Sequence, residues 1–219
     1  MRRLVLAVVL AVAALLLPSG EPAVAQPTTL PAPDFDNDGF GDLAVGVPGE
    51  DVGTAANAGA VQVLYGAADG LAADGRILAQ GAGGVPGASE AGDRFGAALV
   101  TGRFNSDGYE DLAVGAPGEG VGADDGAGAV VLLFGSADGL GGGGGRLLTL
   151  DNPEPGDGFG SSLATGEFTD AGQLLVGAPG EDVRSLTDAG AVSLISTPAS
   201  DPDEALLWQG VAGVTGTAE

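Results

Sequence analysis

The sequence contains no cysteine, no histidine and no lysine, and all seven of its basic residues are arginine. Without a thiol, an imidazole or a lysine amine, Ser-His-Asp and Cys-His catalysis, Schiff-base chemistry and zinc sites built on His or Cys are excluded. Disulfide bonds are excluded too, so in an oxidising compartment stability must come from burial or bound metal. The amino-acid composition still permits a mechanism that uses a pair of carboxylates. Most acids stand in repeated turn positions, however, and we expect a protein that is not an enzyme.

Basic residues are few in comparison with acidic ones. Thirty acids face seven bases, which gives a formal net charge of −23. A surface of this sign repels nucleic acid and anionic membranes, and it attracts divalent cations or basic partners. We therefore expect no nucleic-acid partner.

A long hydrophobic run is also missing. The longest, Leu4 to Leu17, has fourteen residues (4 to 17), fewer than the roughly 20 that span a bilayer. Two arginines precede it, and the small-x-small pattern of Ala23–Ala25 follows. This arrangement favours a cleaved signal peptide over residues 1–25 rather than a membrane anchor. We expect a secreted protein with no membrane span after cleavage and a short linker over residues 26–33.

Glycine is abundant, with 42 residues, and it punctuates strings that recur. The first string has three copies: LAVGVPGED from Leu43, LAVGAPGEG from Leu112 and LLVGAPGED from Leu174. The second also has three copies: AGAVQVLYG from Ala58, AGAVVLLFG from Ala127 and AGAVSLIS from Ala189. The third has two copies: GDRFGAAL from Gly92 and GDGFGSSL from Gly156. Three strings in one fixed order indicate a repeat protein.

Each string has the character of a β-strand. Short apolar or alternating runs are bounded by Gly, Pro or Asp. Roughly four such runs fall in each period, which is the size of a propeller blade. The sequence therefore predicts an all-β fold of propeller blades. A sandwich of short strands is the alternative, but it would not explain the period.

The segment DFDNDGFGD, residues 34–42, carries the most informative chemistry. Carboxylates stand at loop positions 1, 3, 5 and 9, a glycine at position 6, and Phe40 at position 7 can offer its carbonyl. Alternate spacing lets the three carboxylates at positions 1, 3 and 5 converge once the chain curls, and hard oxygen ligands in this number suit Ca²⁺. The predicted calcium ligands of this loop are Asp34, Asp36, Asp38, Phe40 and Asp42.

Two other interpretations of this segment are an EF-hand and a solvated turn. An EF-hand starts in the same way, but position 12 is Val45 rather than Glu, and a β-run follows instead of a helix. A solvated Asp-rich turn also fits the Asp-Gly pair. Four acids in nine residues exceed what a turn requires, so calcium is the favoured interpretation.

The later copies of the loop diverge. In RFNSDGYED an arginine, Arg103, takes position 1, and its charge opposes a cation. The remaining candidate ligands are Asn105, Asp107, Tyr109 and Asp111, and weak binding and a plain turn stay equally open. The third copy, Glu167 to Gln173, is two residues shorter and ends on Gln173. We expect it to have lost calcium.

With these strings laid out, the sequence resembles the FG-GAP repeat family, the blades of the integrin α-subunit propeller and its bacterial relatives. The resemblance rests on two Phe-Gly pairs and three Gly-x-Pro motifs: Phe95-Gly96, Phe159-Gly160, Gly46-Val47-Pro48, Gly115-Ala116-Pro117 and Gly177-Ala178-Pro179. It implies a seven-bladed ring, Ca²⁺ in hairpin loops on one face and ligand binding through loops on the opposite face. It also implies a role in adhesion or recognition of a protein or glycan. Some members of the family are fused to hydrolases, so a non-catalytic portion of a larger secreted hydrolase is the alternative.

The repeats divide the rest of the chain. The predicted boundaries are a first repeat over 34–91 without its Phe-Gly strand, a second over 92–155, a third over 156–205, and the start of a fourth over 206–219. Three repeats do not close a seven-fold ring. We expect either a fragment of a longer protein or self-association of identical chains through open sheet edges.

Overall fold

The chain folds into β-sheets of the kind that form propeller blades. The structure, a computed structural model, describes residues 32–73, 75–166, 173–196 and 204–207, the last of these only by their backbone. Every element in these ranges is a strand, and every pairing between strands is antiparallel. The predicted all-β propeller fold is confirmed, whereas the count of seven blades stays a prediction.

Three sheets follow one another along the chain, and we call them blades 1, 2 and 3. Blade 1 has the order β1 (Leu43–Val47), β2 (Ala60–Leu64), β3 (Arg76–Leu78). Blade 2 has the order β4 (Ala98–Gly102), β5 (Asp111–Ala116), β6 (Ala129–Leu133), β7 (Gly145–Leu148). Blade 3 has the order β8 (Ser162–Gly166), β9 (Gln173–Ala178), β10 (Ala191–Ser196), β11 (Glu204–Leu207). Within the described residues, blade 1 lacks the strand that precedes the Asp loop in the other two.

The repeated strings become equivalent strands in equivalent registers. Ala113 of β5 pairs with both Val100 of β4 and Leu132 of β6. In blade 3 Leu175 likewise pairs with Ala164 and Leu194. Because side chains alternate across a strand, one residue in two faces each neighbouring blade.

Blade 2 has two buried faces, which explains its nearly continuous apolar strands. Val114 and Val131 lie in a core shared with blade 1, and Val130 and Leu132 lie in a second core shared with blade 3. All four side chains are at most 1% exposed. Sheet-on-sheet packing of this kind buries both sides of the middle sheet.

The Phe-Gly pairs tie each blade to the preceding one. Phe95 lies just before β4, is fully buried, and donates its backbone N–H to Ala58 O at 2.9 Å. Phe159 makes the equivalent bond to Ala127 O at 2.9 Å. The prediction placed the Phe-Gly pair within a strand. The structure instead places each pair before its strand, as an isolated parallel bridge to the previous blade.

Close backbone approach explains the glycine of the Gly-x-Pro motif. A side chain on Gly46 would collide with the carbonyl of Gly96, and one on Gly115 would collide with the carbonyl of Gly160. In both cases the obstructing carbonyl belongs to the Phe-Gly pair of the following blade. This glycine therefore permits the next blade to pack closely.

The last described strand lies across one predicted repeat boundary. β11, Glu204–Leu207, pairs with β10 and so completes blade 3, although the predicted third and fourth repeats divide between residues 205 and 206. Residues 208–219 and the predicted signal peptide lie outside the described ranges, and the repeat boundaries stay predictions. Among the described residues there is no helix of the length and apolarity that crossing a membrane requires.

Candidate metal site

The Asp loop of blade 1, residues 34–42, brings three carboxylates together. One oxygen each from Asp34, Asp36 and Asp42 lies within 4.8 Å of the other two. In the part of the chain that the structure describes, no other three acidic side chains converge in this way. The alternate spacing predicted that Asp34 and Asp36 converge with Asp38, whereas the structure brings Asp42 to them instead.

Local hydrogen bonds curl the loop. Asp38 N–H lies 3.2 Å from both Asp34 Oδ1 and Asp36 Oδ1, and Gly39 N–H donates to Asp34 Oδ2 at 3.0 Å. Asn37 and Gly39 have positive φ values of 58° and 93°. Asn and Gly are the residues that tolerate this region, so the backbone reverses without large strain.

Two other predicted ligands stand apart from the carboxylate group. Asp38 is exposed, and its Oδ1 accepts the N–H of Phe40 at 2.8 Å. The Phe40 side chain is 42% exposed. A part for either residue in binding a metal, through the Asp38 carboxylate or the Phe40 carbonyl, stays a prediction.

Asp42 has a structural role as well as a place in the group. Its Oδ2 accepts Phe35 N–H at 2.7 Å and its Oδ1 accepts Gly66 N–H at 2.8 Å, so it joins the loop to the segment that follows β2. The side chain is only 4% exposed. We call this doubly bonded residue the strut of the loop.

The electrostatics of the group favour a cation. Burial raises the pKa of Asp36 above its ordinary value, and the negative charges of Asp38, Asp42 and Asp34 raise it further. Burial also raises the pKa of Asp42, with the charges of Asp34 and Asp38 adding to it, although hydrogen bonds from Gly66 and Phe35 oppose the shift. The anionic forms are thus destabilised until a positive charge arrives.

The loop is anchored to the blade that follows. Phe35 is fully buried in the core between blades 1 and 2, beside Leu112 and Leu140. Its carbonyl accepts the N–H of Ser136 in blade 2 at 3.1 Å. The position of the carboxylates therefore depends on packing between the blades.

In blade 2 the loop over residues 103–111 keeps the strut but not the cluster. Asp111 is fully buried and accepts N–H groups from Phe104 at 2.7 Å, Asn105 at 3.2 Å and Gly135 at 2.9 Å. Burial raises its pKa to about 6. Arg103 pairs with Glu110 at 3.0 Å and is 65% exposed.

The other predicted ligands of this second loop satisfy one another. Asn105 Nδ2 donates to Asp107 Oδ2 at 2.8 Å, and Asp107 N–H donates to Asn105 Oδ1 at 3.1 Å. Tyr109 N–H donates to Asp107 Oδ1 at 2.9 Å. These bonds fit the turn interpretation, and a metal in this loop stays a prediction.

The third loop falls mostly outside the described residues, and with it the prediction that it has lost calcium. Gln173 stands where Asp42 and Asp111 stand in the other blades. It is 6% exposed, and its Oε1 has no hydrogen-bond donor among the described residues.

The strut itself was missed by sequence reasoning, which treated Asp42 and Asp111 only as ligands. A signal for it exists in the glycine that ends AGAVQVLYG and AGAVVLLFG. A side chain on Gly66 would meet the backbone of Gly41, and one on Gly135 would meet Glu110 O. The chain comes close here because these glycines donate to the struts.

Comparison with known proteins identifies the repeats. The FG-GAP repeat family matches residues 27–64 and 95–133. The chain carries FG-GAP repeats. The first match contains the Asp loop with its carboxylate group, and the second contains the loop of blade 2.

Several characterised proteins share part of this sequence. Phosphatidylinositol-glycan-specific phospholipase D of Rattus norvegicus is 41% identical over 106 residues, covering 48% of this chain and 13% of that protein. The Homo sapiens protein of the same name is 40% identical over 106 residues, with the same shares covered. Integrin alpha-PS5 of Drosophila melanogaster is 34% identical over 159 residues, covering 69% of this chain and 14% of that protein. The chain thus matches only a small part of each relative.

Proposed function

We propose that the FG-GAP blades form a secreted recognition module, stabilised by calcium at the Asp loop of blade 1. The observation that carries the proposal is the convergence of Asp34, Asp36 and Asp42. Its ligand would be an extracellular protein or glycan, bound without catalysis.

The donor set supports calcium rather than a transition metal. The group offers carboxylate oxygens, and the chain has no His or Cys to supply nitrogen or sulfur ligands. Hard oxygen donors on a loop with water access are typical of Ca²⁺ sites, where the ion takes about 6–8 ligands. Asp38, the Phe40 carbonyl and water are the candidates for the remaining positions.

The recognition role is supported by the similarity to integrin alpha-PS5, which covers more of the chain than the other relatives described above. The predicted signal peptide supports secretion. Several acids in the described blades accept backbone N–H groups, as Asp42 and Asp51 do. Such positions support a module that binds rather than reacts.

A second candidate is a non-catalytic portion of a larger secreted hydrolase. The similarity to phosphatidylinositol-glycan-specific phospholipase D favours it. The mass of the native protein in the culture medium, detected with an antibody against residues 34–166, distinguishes the two. A species large enough to hold a catalytic domain supports the second candidate.

Isothermal titration with Ca²⁺ tests the proposed metal. We expect saturable binding and a higher melting temperature, since a ligand at about 100 times its Kd adds about 2.7 kcal/mol to the free energy of unfolding. Asp36→Asn removes a ligand charge with little change of shape, and we expect binding to weaken by at least about tenfold.

The matched control is Asp151→Asn, which makes the same charge change at an exposed position outside the loop. It should leave calcium binding within about twofold. Equal losses in the two variants would show that calcium responds only to total charge, and the site assignment would then be wrong.

A further inference from the structure

Blade 1 exposes a large part of its apolar side chains. We call the side of blade 1 that is turned away from blade 2 the head face. Large exposed apolar side chains at this end of the described chain are Leu43 42%, Val45 43%, Val47 38%, Leu71 49% and Ile77 69%. Only three other large apolar side chains in the described residues are exposed, namely Phe40, Leu147 and Leu186.

Strand pairing shows that those of these residues that lie in strands share one surface. Val45 pairs with Gln62, which pairs with Ile77. Directly paired residues of an antiparallel sheet point to the same side. Leu43 pairs with half-buried Leu64 on that side as well. The head face is therefore a continuous sheet surface.

The repeat shows what such a surface does when it is covered. The counterparts of Leu43 and Val45 in blade 2 are Leu112 and Val114, which are 1% and 0% exposed. They lie in the core between blades 1 and 2. The head face thus has the composition of a buried interface between blades.

The loop after β2 repeats the pattern. Leu71 corresponds to Leu140, which is fully buried in the junction between blades 1 and 2. There, Leu140 N–H donates to the Tyr65 hydroxyl at 2.9 Å, and Arg76 Nη1 donates to Leu140 O at 2.9 Å. Leu71 is an equivalent side chain, and none of the described blades covers it.

Blade 3 presents the complementary surface. Its tail face, the side turned away from blade 2, carries Leu175, Val192 and Leu194, all half-buried. The counterparts in blade 2 are Ala113, Val130 and Leu132, at most 1% exposed because blade 3 covers them. The head face and the tail face of one chain therefore correspond to the two surfaces that pack together where its own blades meet.

We propose that the head face binds the tail face of a second copy of this chain. The contact would continue the interface already formed twice, between blades 1 and 2 and between blades 2 and 3. It joins two different surfaces, so it is head-to-tail and leads to a closed ring or an open array. It does not depend on the proposed calcium site.

Charge determines how the contact responds to salt. Copies with a net charge of −23 repel each other, whereas the named residues of both faces are uncharged. Salt screens this repulsion, and a kosmotropic salt such as sulfate also strengthens hydrophobic contact. Self-association should therefore increase with ionic strength.

Sedimentation velocity of the purified chain over a range of protein and salt concentrations tests the proposal. We expect reversible association that grows with both. Val45→Asp on the head face and Leu194→Asp on the tail face should each weaken association by at least about tenfold. Leu186→Asp, on a 37% exposed residue outside both faces, is the control and should associate normally.

Mixing the two variants gives the decisive result. A head-to-tail contact predicts that Val45→Asp and Leu194→Asp together form a one-to-one dimer through their remaining intact faces. If Leu194→Asp does not fold, Leu175→Gln replaces it. A chain that stays monomeric at all concentrations, association that survives Val45→Asp, or a mixture without dimer would each overturn the proposal. Capture of a different protein by the head face of a monomeric chain would overturn it as well.

Discussion

The loops of blades 1 and 2 share a framework and differ in charge. In both, an Asp strut accepts the N–H of a buried Phe and of a glycine that follows β2 in blade 1 and β6 in blade 2. In blade 1 the strut belongs to a group of three carboxylates, whereas in blade 2 position 1 is Arg103, paired with Glu110. Both blades keep the strut as a structural contact. Among the described residues, the group of three carboxylates occurs only in blade 1.

The largest expected effect comes from removing the struts. Asp111→Ala leaves three backbone N–H groups without their acceptor, so we expect a loss on the order of 3 kcal/mol in the free energy of unfolding. Asp42→Ala should cost less in metal-free protein, because removing that carboxylate also relieves repulsion with Asp34 and Asp38. Urea unfolding with and without calcium measures both.

The comparison between struts has a definite contrary outcome. Calcium should increase the cost of Asp42→Ala and leave that of Asp111→Ala nearly unchanged. If, in metal-free protein, Asp42→Ala lowered the free energy of unfolding more than Asp111→Ala does, repulsion in the first loop would be shown to be unimportant.

An intermediate effect is expected from making the second loop resemble the first. Arg103→Asp restores a carboxylate at position 1 and removes the opposing charge. We expect a second calcium ion to bind, with affinity raised by at least about tenfold, or roughly 1.4 kcal/mol. Calorimetric stoichiometry measures the gain. Glu110→Gln, which breaks the ion pair without adding a ligand, is the control and should keep the original stoichiometry.

The smallest expected effect is the pH dependence of the metal-free chain. Burial raises the pKa of Asp111 to about 6 and also raises the pKa values of Asp93, Glu119 and Asp157. A carboxyl with a higher pKa in the folded than in the unfolded chain binds protons preferentially when folded. The melting temperature should therefore rise as the pH falls from about 7 to about 5.

Calcium should reverse this trend, since protons compete with it for carboxylates. Asp111→Asn should flatten the metal-free profile, because it removes the group with the largest shift. Thermal unfolding followed by circular dichroism measures both. Stability that falls steadily from neutral to acidic pH in metal-free protein would contradict the burial of these acids.

Many features of the two blades and their loops could be predicted from the sequence. Recurring strings predicted the strands. Alternate spacing predicted that Asp34, Asp36 and Asp38 converge, whereas the structure groups the first two with Asp42. Both predictions depend on contacts that are local in the chain. The pairing of Arg103 with Glu110 could not be predicted in the same way, because the loop pattern marks Arg103 only as a charge opposing the metal.

Properties that depend on a neighbouring blade were harder to predict from the sequence. Leu43 and Leu112 stand in nearly identical strings, yet one is 42% exposed and the other 1%. The difference arises from what packs on the sheet, which the residues themselves do not encode. The strut escaped notice for a similar reason, since Gly66 lies 24 positions from Asp42.

The glycines that admit the next blade have a consequence for cooperativity. Gly46 lies against the Phe-Gly carbonyl of blade 2, and Gly115 against that of blade 3. Blades 1 and 2 are thus each contacted by backbone of the blade that follows, so we expect the smallest cooperative unit to be a pair of adjacent blades. Destabilising one blade should lower the protection of amide hydrogens in its neighbour against exchange with solvent. Unfolding should then spread from each blade to the adjacent one.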